Sequence, residues 1–569
     1  MKNNEKEKNK KANKALAGKH DKFDPEENML KMPFSSPGYH TTLEGGYVHK
    51  TRKSLNYALD ILDCDLELQD RAEAVINKVL SLQDTDPESR TFGVWPWFLE
   101  EPLEEMSPPD FNWADFLGKD LVYLLMVHQD KLSDGLTADI KQAVKNASFC
   151  IKRRNVGPHY TNISIMGAYV TLKTGEIFDD EEYFNYGKER LKKAVDYTEK
   201  HGGFTEYNSP TYTVVAIKEI GRILKYVKDK EAQKMAQVLN RYAWRCLSKH
   251  YHKPTEQLSP PNSRCYRDFQ NNTFYEFISK GTGRDFSFLE EESLPYRSTI
   301  SCPEEFRNNF KVFLGNNFFE EEYFAGNEDK PPLSASTYMT EDYTLGSFNK
   351  CDLWNQRRPL MAKIGSFEKT SYIKFRCLHD GYDYSSSILF SSQFKNNILV
   401  GVNFVTDYGD THISLDLVEN ASIKAESLVF RFELGGNIED IKLPDKVKMG
   451  SSCKIQVDKV EIDLNLIDCR FNSETINLRV GQNEENKWVD IVLYEGKEKE
   501  LDFGEMEEAF FLFGLSINGK GENKPDYTYN GIEEGLARAK MTVAGKERHI
   551  KISVKPFPYS ENLTKGQLG

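Results

Sequence analysis

The sequence predicts an α+β multidomain fold, an N-terminal (α/α) toroid followed by a C-terminal antiparallel β-sandwich. From about residue 50 to 300, apolar residues recur at helical spacing. Beyond about residue 330, short β-rich runs separated by Gly, Asn and Asp replace that spacing. The chain has 569 residues, which is enough for two large hydrophobic cores.

The helical part contains amphipathic segments that follow one another in pairs. Pairs of helices joined by short turns predict either an α-solenoid or its closed form, the toroid. No tight internal repeat of the solenoid kind is present, and the toroid is therefore favoured. The predicted pairs are 54–62 with 70–82, 113–132 with 136–154, 163–175 with 181–202, and 210–229 with 230–251.

The second half predicts the strands of the sandwich, and three domain boundaries follow. We expect a disordered basic tail over 1–25, the toroid over 26–325 and the sandwich over 326–569. The charged, Pro-containing segment 320–333 is the predicted linker. The predicted strands include 371–378, 386–392, 397–405, 412–418, 427–434, 454–464, 475–481, 488–494 and 548–555.

Charge and composition exclude several classes of function. The formal net charge is -13 and the pI about 5.5, so a nucleic-acid partner is not expected. The N-terminus lacks the apolar stretch of a secretory signal, and no run of eighteen apolar residues occurs. We therefore expect a cytoplasmic protein with no membrane partner. Nucleotide, zincin and serine-hydrolase motifs are absent from the sequence.

The nine Cys residues are scattered and show no CxxC pair. This predicts reduced thiols rather than a zinc site or a disulfide framework. No cofactor is required by any motif, and a structural divalent metal in the sandwich is an alternative for which the sequence indicates no ligands. The oligomeric state is not indicated.

The first polar motif is PHYTNIS at the start of a predicted helix, with His159 and Asn162. Free backbone N–H groups and the helix dipole favour an anion there, and the Asn162 amide is placed to donate to it. The alternative is that Thr161 or Asn162 only caps the helix.

The second motif, EYNSPTY, is the most informative. Helix initiation accounts for two of its residues, Ser209 as the N-cap and Pro210 at the first helical position. Helix initiation does not account for the presence of Glu206, Tyr207 and Tyr212 at the same helix end. The alternative is a pair of half-buried tyrosines that pack the turn.

Three further groups supply polar side chains. Alternation on a predicted strand places His412, Ser414 and Asp416 on one face. A probable turn carries His379, Tyr382 and Tyr384. The loop after the fourth helix pair carries Arg264, Tyr266 and Asp268, in which Arg264 either grips a carboxylate or ties down the loop through Asp268.

Several of these stretches resemble the heparinase II/III and alginate lyase type of polysaccharide lyase. They are residues 155–176, 201–217, 336–359 and 407–416. The sequence departs from that family in having Ile163 rather than His after Asn162, and in lacking the second His of an HxHxD segment. The resemblance implies an oligosaccharide substrate containing uronic acid, cleaved by β-elimination. It implies Tyr212 as base and acid, with Tyr207 in reserve, and Asn162 and His412 to neutralise the substrate carboxylate.

The region 93–116 keeps a second hypothesis open. Trp95 and Trp113 offer faces for sugar stacking, while Asp110 and Asp115 supply carboxylates. A glycoside hydrolase uses two such groups, and Asp110 or Asp115 with Glu206 would be the pair. A third hypothesis is a non-catalytic carbohydrate-binding protein. His159, Trp95, Trp113, Asp115, Arg264, Tyr266, His379 and Tyr384 are the predicted substrate-binding residues.

Overall fold

The computed structural model describes residues 13–289, 294, 296–326, 331–407, 409, 410, 412, 415, 418–519 and 522–559. Their fold class is the one that the sequence predicts, helices first and antiparallel sheets second. Two compact units divide the chain. The first unit comprises the described parts of 1–199, 214–243 and 275–302, and the second comprises those of 200–213, 244–274 and 303–569.

The four predicted helix pairs are confirmed. Their order is α1 (Thr51–Asp63) with α2 (Gln69–Leu80), α3 (Asn112–Val127) with α4 (Asp134–Arg154), α5 (Thr161–Phe178) with α6 (Glu181–His201), and α7 (Tyr212–Tyr226) with α8 (Lys230–His250). Two shorter helices follow, α9 (Asn272–Thr282) and α10 (Glu304–Arg307).

The helices of the first unit lie in an inner and an outer row. Helix α3 contacts α1, α4 and α5, and α2 contacts α4. Every residue of α5 from Thr161 to Gly175 is buried, as expected of an inner helix surrounded by others. This alternation of inner and outer helices is the (α/α) arrangement.

The N-terminal halves of the inner helices α1, α3 and α5 contact one another. Arg52 lies over the ring of Phe116, with 3.9 Å between the guanidinium carbon and the ring centroid. A Cβ added to Gly167 would lie 2.8 Å from Oδ1 of Asp115.

The N-terminal segment differs from the prediction of a disordered tail. Residues 13–20 are helical, and Leu16 is fully buried. Lys19 forms an ion pair with Asp60, and the imidazole of His20 lies 2.7 Å from the Tyr57 hydroxyl. Apolar burial and these contacts with α1 order the segment. The rest of the predicted tail up to residue 12 lies outside the described residues.

A small three-stranded sheet follows in the first unit, formed by β1 (Phe23–Asp24), β2 (Met29–Ser35) and β3 (Gly45–His49). A two-stranded ladder belongs to the second unit, formed by β4 (Tyr251–His252) and β5 (Gln257–Leu258).

The second unit is a stack of antiparallel sheets. The largest has the order β19-β20-β15-β11-β10-β8-β7-β6, with β12 paired to β11. The next has the order β16-β17-β18-β21-β14-β13-β9, and β22-β23-β24 form a third. The strands are β6 (Asn317–Phe324), β7 (Leu333–Met339), β8 (Tyr343–Phe348), β9 (Lys350–Asp352), β10 (Leu360–Ile364), β11 (Ser371–His379), β12 (Tyr382–Asp383), β13 (Ser387–Phe394), β14 (Asn397–Phe404), β15 (Ser422–Gly436), β16 (Ile441–Lys442), β17 (Ser451–Val457), β18 (Val460–Phe471), β19 (Asn477–Gln482), β20 (Asn486–Asp502), β21 (Ala509–Asn518), β22 (Asp526–Glu533), β23 (Leu536–Val543) and β24 (Lys546–Ser553).

Two hydrophobic cores hold the three sheets together. The first lies between the two large sheets, where the ring centroids of Phe375 and Phe513 are 5.0 Å apart. The second lies between the middle sheet and the third, where Leu512 packs with Met541 and Ile550. The middle sheet is buried on both faces, which explains the continuous apolar run of β21.

Two local predictions were wrong. Residues 317–324, which overlap the predicted linker, form strand β6, and β6 pairs with β7. The predicted strand over 412–418 is not formed at His412 or Leu415, because the connection from β14 to β15 is irregular there. Ser414 and Asp416 lie outside the described residues.

Among the helices that the structure describes, none is long and apolar enough to cross a membrane. All nine Cys residues are free thiols, and eight of them are buried.

Candidate functional site

Tyr212 is the first residue of α7, and its position is fixed by a capping residue. The hydroxyl of Ser209 accepts the Tyr212 backbone N–H at 3.0 Å and donates to the carbonyl of Arg264 at 2.7 Å. One hydroxyl therefore ties the helix start to the loop that carries Arg264, as the sequence signal of an N-cap allows.

Arg264 is the centre of a cluster of side chains. Its Nη2 donates to the hydroxyls of Tyr212 and Tyr266, both at 3.2 Å, and to Oε1 of Gln356 at 2.9 Å. The two tyrosine oxygens are 2.6 Å apart. The guanidinium carbon lies 4.8 Å from the ring centroids of Tyr212 and Trp354. This group, which we call the Arg264 cluster, joins a helix start, a loop and the turn 354–358.

The turn 354–358 also places His412. The rings of Trp354 and His412 are 4.7 Å apart and inclined by 36°. The backbone N–H of His412 donates to Oδ1 of Asp410 at 2.8 Å, and Nη2 of Arg357 donates to Oδ2 of Asp410 at 2.6 Å. His412 and Arg264 thus contact the same indole, although 148 residues separate them in the sequence.

Burial decides the protonation of this cluster. It raises the pKa of Tyr212, and the charge of Arg264 opposes that rise only in part. Burial alone would lower the pKa of Arg264, but the neighbouring Tyr212, Tyr266 and Glu206 raise it. At neutral pH the Tyr212 hydroxyl therefore keeps its proton beside a charged guanidinium. Such a pair can donate a proton and bind an anion.

Tyr207 has a different environment. It is 5% exposed, and its hydroxyl lies 2.9 Å from Nε2 of His250 and 2.8 Å from Oε2 of Glu321. Its ring stacks on Tyr323 with 5.1 Å between centroids. Burial raises the pKa of Tyr207 well above its usual value and lowers that of His250 to about 4. Tyr207 therefore serves packing, which removes it from the proposed proton transfer.

Asn208 and Glu206 complete the turn before α7. Asn208 is fully buried, adopts a φ of 49°, and donates from its amide to the carbonyls of Ser259 and Pro261 at 2.7 and 2.8 Å. Glu206 is 8% exposed and acts by its charge on Tyr212 and Arg264. The turn is therefore rigidly attached to the loop that precedes Arg264.

Asp268 does not pair with Arg264, as one of the two alternatives supposed. It accepts hydrogen bonds from Arg358 at 2.6 Å and Lys374 at 2.9 Å. Burial would raise the pKa of Asp268, but these two cations hold it at about 2. Arg264 is thus left to the two tyrosines and Gln356.

Of the remaining predicted residues of the second unit, His379 and Tyr384 are in edge contact, with ring centroids 5.8 Å apart. Tyr384 is 1% exposed and belongs to the core between the two large sheets, so it is not available to a substrate. The imidazole of His379 donates from Nε2 to the carbonyl of Lys424 at 2.8 Å. Tyr382, in contrast, is 48% exposed.

In the first unit, Asn162 is the second residue of α5 and is 2% exposed. No side-chain hydrogen bond caps this helix, and Oδ1 of Asn162 has no partner among the described residues. The capping alternative is therefore not realised. His159 lies exposed in the preceding turn, and the Tyr160 hydroxyl accepts a hydrogen bond from Asn112 at 3.2 Å.

The aromatic and acidic residues of the region 93–116 have structural contacts. Trp95 is fully buried and donates from its indole to the carbonyl of Val79 at 3.0 Å, so it offers no face to a sugar. Trp113 is half-buried, with its ring centroid 5.3 Å from that of Trp97. Oδ1 of Asp110 accepts the backbone N–H of Asn112 at 3.0 Å.

Asp115 has a buried environment that acts on its charge. It is 2% exposed, and its nearest cation is Arg154 at 3.8 Å. Burial raises its pKa to about 7, although the charges of Arg190 and Arg154 oppose this.

Sequence reasoning named Tyr212, Arg264 and Tyr266 but missed Trp354 and Gln356. The stretch LWNQRRP lies within 336–359, for which the sequence indicates only a resemblance to polysaccharide lyases. The signal available in the sequence was a tryptophan and an amide, Trp354 and Gln356, next to two arginines. Among the described residues, no group of three His, Cys, Asp or Glu side chains is arranged to hold a metal ion.

A protein-family model described as "Domain of unknown function (DUF8769)" matches residues 20–281. No curated protein matches the sequence. A crystal structure of heparinase III is similar at 11% identity, over 91% of this chain and 84% of that one, with a TM-score of 0.46. A heparinase III gene product with methylated lysines has 10% identity over 88% and 83%, with a TM-score of 0.35. A mutant chondroitin AC lyase of Streptomyces coelicolor has 9% identity over 96% and 84%, with a TM-score of 0.42.

Proposed function

We propose that this protein is a lyase that cleaves oligosaccharides or polysaccharides containing uronic acid by β-elimination. The observation that carries the proposal is the Arg264 cluster, in which a charged guanidinium bonds two tyrosine hydroxyls and an amide. The sequence resemblance to polysaccharide lyases agrees with it. The reaction requires a cation for the substrate carboxylate and a proton donor for the leaving oxygen.

The proposed reaction uses the groups of this cluster in one sequence. Arg264 binds the carboxylate at carbon 5 and stabilises the enolate that forms when the C5–H bond breaks. His412 takes that proton. The electron pair forms the C4–C5 double bond as the C4–O bond breaks, and Tyr212 donates its proton to the leaving oxygen. The raised pKa of Tyr212 favours the acid role over the role of base.

Asn162 lies in the first unit, and its role as a donor to the substrate carboxylate stays a prediction from the resemblance. Its side chain stands in the first turn of α5 and is 2% exposed. The helix start supplies partial positive charge for an anion. Asn162→Ala is expected to raise KM for uronic-acid substrates more than it lowers kcat.

The test is ultraviolet absorbance during incubation with alginate, chondroitin and heparan sulfate oligosaccharides. β-Elimination leaves a double bond conjugated to the carboxylate, and the absorbance rises as product forms. Tyr212→Phe removes the proton donor and should lower kcat by about 100-fold or more. The control is Tyr47→Phe, at a tyrosine 68% exposed in the first unit, which should leave kcat unchanged. Full activity of Tyr212→Phe would refute this role for Tyr212.

A glycoside hydrolase is the second candidate, because the pKa of about 7 at Asp115 suits a general acid. In that case new reducing ends appear without absorbance, Asp115→Asn abolishes turnover, and Tyr212→Phe is mild. Binding without either product would assign the protein to the non-catalytic alternative.

A further inference from the structure

The hairpin between β11 and β12 presents an exposed aromatic ring beside the turn 354–358. Asp380 and Gly381 adopt φ values of 48° and 84°, as an Asp-Gly turn between two strands requires. Asp383 anchors the short strand by accepting from Arg376 at 2.9 and 2.6 Å. Tyr382 is held on this anchored hairpin with its ring 48% exposed.

The turn 354–358 connects Tyr382 to the Arg264 cluster. Nδ2 of Asn355 donates to the Tyr382 hydroxyl at 2.6 Å, and the next residue, Gln356, accepts from Arg264 at 2.9 Å. The α-carbons of adjacent residues are about 3.8 Å apart. Tyr382 is therefore bonded to the turn directly, whereas Tyr266, which is 47% exposed, is linked to it through Arg264.

Three polar atoms, two in this turn and one in the adjoining Arg264, lack partners among the described residues. They are Oδ1 of Asn355, Nε1 of Trp354 and Nε of Arg264. A buried polar atom without a hydrogen bond costs about 1–3 kcal/mol, so such atoms are expected to meet water or a ligand. Exposed aromatic faces and unused donors and acceptors together are what a saccharide binds.

We propose that Tyr382 and Asn355 form an additional saccharide subsite next to the Arg264 cluster. The ring of Tyr382 packs against the apolar face of one pyranose unit, and Oδ1 of Asn355 accepts one of its hydroxyls. This subsite rests on the proposed function, since it binds a sugar that continues the chain beyond the cleaved bond. Neither Tyr382 nor Asn355 carries a charge, so the subsite accepts a neutral sugar as readily as a uronic one.

Steady-state kinetics on substrates of increasing length test the subsite. Tyr382→Ala should raise KM about tenfold for the longest oligosaccharides, leave kcat within twofold, and leave KM for the shortest substrate unchanged. Tyr382→Phe keeps the ring and should behave almost as the wild type. Asn355→Ala should raise KM in the same length-dependent way. Tyr47→Ala is the matched control, an exposed tyrosine of the first unit.

Direct binding separates this inference from the proposed function. Calorimetry with Tyr212→Phe and the same alginate, chondroitin and heparan sulfate oligosaccharides measures Kd without turnover. Weaker binding of long oligosaccharides when Tyr382→Ala is added supports the subsite even if no substrate is cleaved. An unchanged Kd at every length, a fall in kcat alone, or no binding of any oligosaccharide overturns it. Circular dichroism of each variant checks the fold.

Discussion

At the scale of single residues, environment separates side chains that look alike in the sequence. Tyr207 and Tyr212 stand five residues apart at one helix start, yet one is packed against Tyr323 and the other bonds Arg264. Their roles were predictable only in part. The N-cap signal of Ser209 placed Tyr212 in a first turn. The alternative of packed tyrosines covered both residues, but nothing in the sequence indicated that Tyr207 is the more deeply buried of the two.

Asp115 gives a prediction about pH. Its pKa of about 7 lies above the ordinary value, so the folded protein binds a proton more tightly than the unfolded chain. The stability this contributes is full below about pH 4 and is lost as the pH rises through about 7. Asp115→Asn keeps the neutral form and should be more stable than the wild type above pH 7, by on the order of 4 kcal/mol. Thermal unfolding between pH 4 and 8 measures the difference.

The matched control is Asp139→Asn, at an exposed carboxylate of α4. Its Tm difference from the wild type should stay nearly constant with pH. A constant difference for Asp115→Asn as well would show that Asp115 is ionised in the folded protein throughout this range.

At the scale of elements, the start of α7 depends on the single hydroxyl of Ser209. Ser209→Ala loses the cap, worth about 1 kcal/mol, together with the hydrogen bond to the Arg264 carbonyl. We expect a lower Tm and a lower kcat, because Tyr212 and Arg264 lose their common support. Ser209→Thr retains the hydroxyl and should restore both. Ser81→Ala, at an exposed hydroxyl following α2, is the control; a lower Tm with an unchanged kcat would contradict the positioning role.

The connection between β14 and β15 depends on Arg357. Its guanidinium lies 3.1 Å from Asp352 and 2.6 Å from Asp410, and Asp410 holds the His412 backbone. A Cβ added to Gly409 would lie 1.9 Å from the Ser385 carbonyl, so the connection passes close to β13. We expect Asp410→Ala to free His412 and lower kcat about tenfold with a small change in KM.

Indole fluorescence provides a second readout of that connection. The His412 ring lies 4.7 Å from the Trp354 indole, so the emission of the wild type should contain a Trp354 component that depends on this contact. Asp410→Ala should remove this component, and Trp354→Phe identifies it. Arg470→Lys, in a surface ion pair with Glu508, is the control for both measurements. Wild-type kcat in Asp410→Ala would show that His412 needs no such anchor.

At the scale of the whole molecule, the sequence predicts the secondary structure better than the compact units. Helical and β spacing identified the four helix pairs and most strands, because periodicity is a local property. The assignment of alternating stretches of the chain to the two units depends on contacts between residues far apart in the sequence. Residues 200–213 and 244–274 carry helical or loop sequence but cluster with the sheets. For the same reason, the contact of Arg264 with Gln356, 92 residues along, could not be predicted.

The interleaved units predict that the sandwich does not fold from the segment 326–569 alone. That fragment lacks β6, which pairs with β7, and it lacks the segment 251–264, whose carbonyls accept from Thr337 and Lys363. We expect it to aggregate or to unfold without cooperativity, measured by size-exclusion chromatography and circular dichroism against the full chain. A monomeric fragment with a sharp transition would show that the sheets suffice.

The position of the Arg264 cluster in the chain limits how such a gene can recombine. Tyr212, Arg264 and Tyr266 lie before any junction placed between helices and sheets, and Trp354, Gln356 and His412 lie after it. A single crossover there joins half of the cluster from one parent to half from another. The two halves must therefore be inherited together. In related chains, we expect a substitution at Arg264 to be accompanied by a substitution in the turn 354–358.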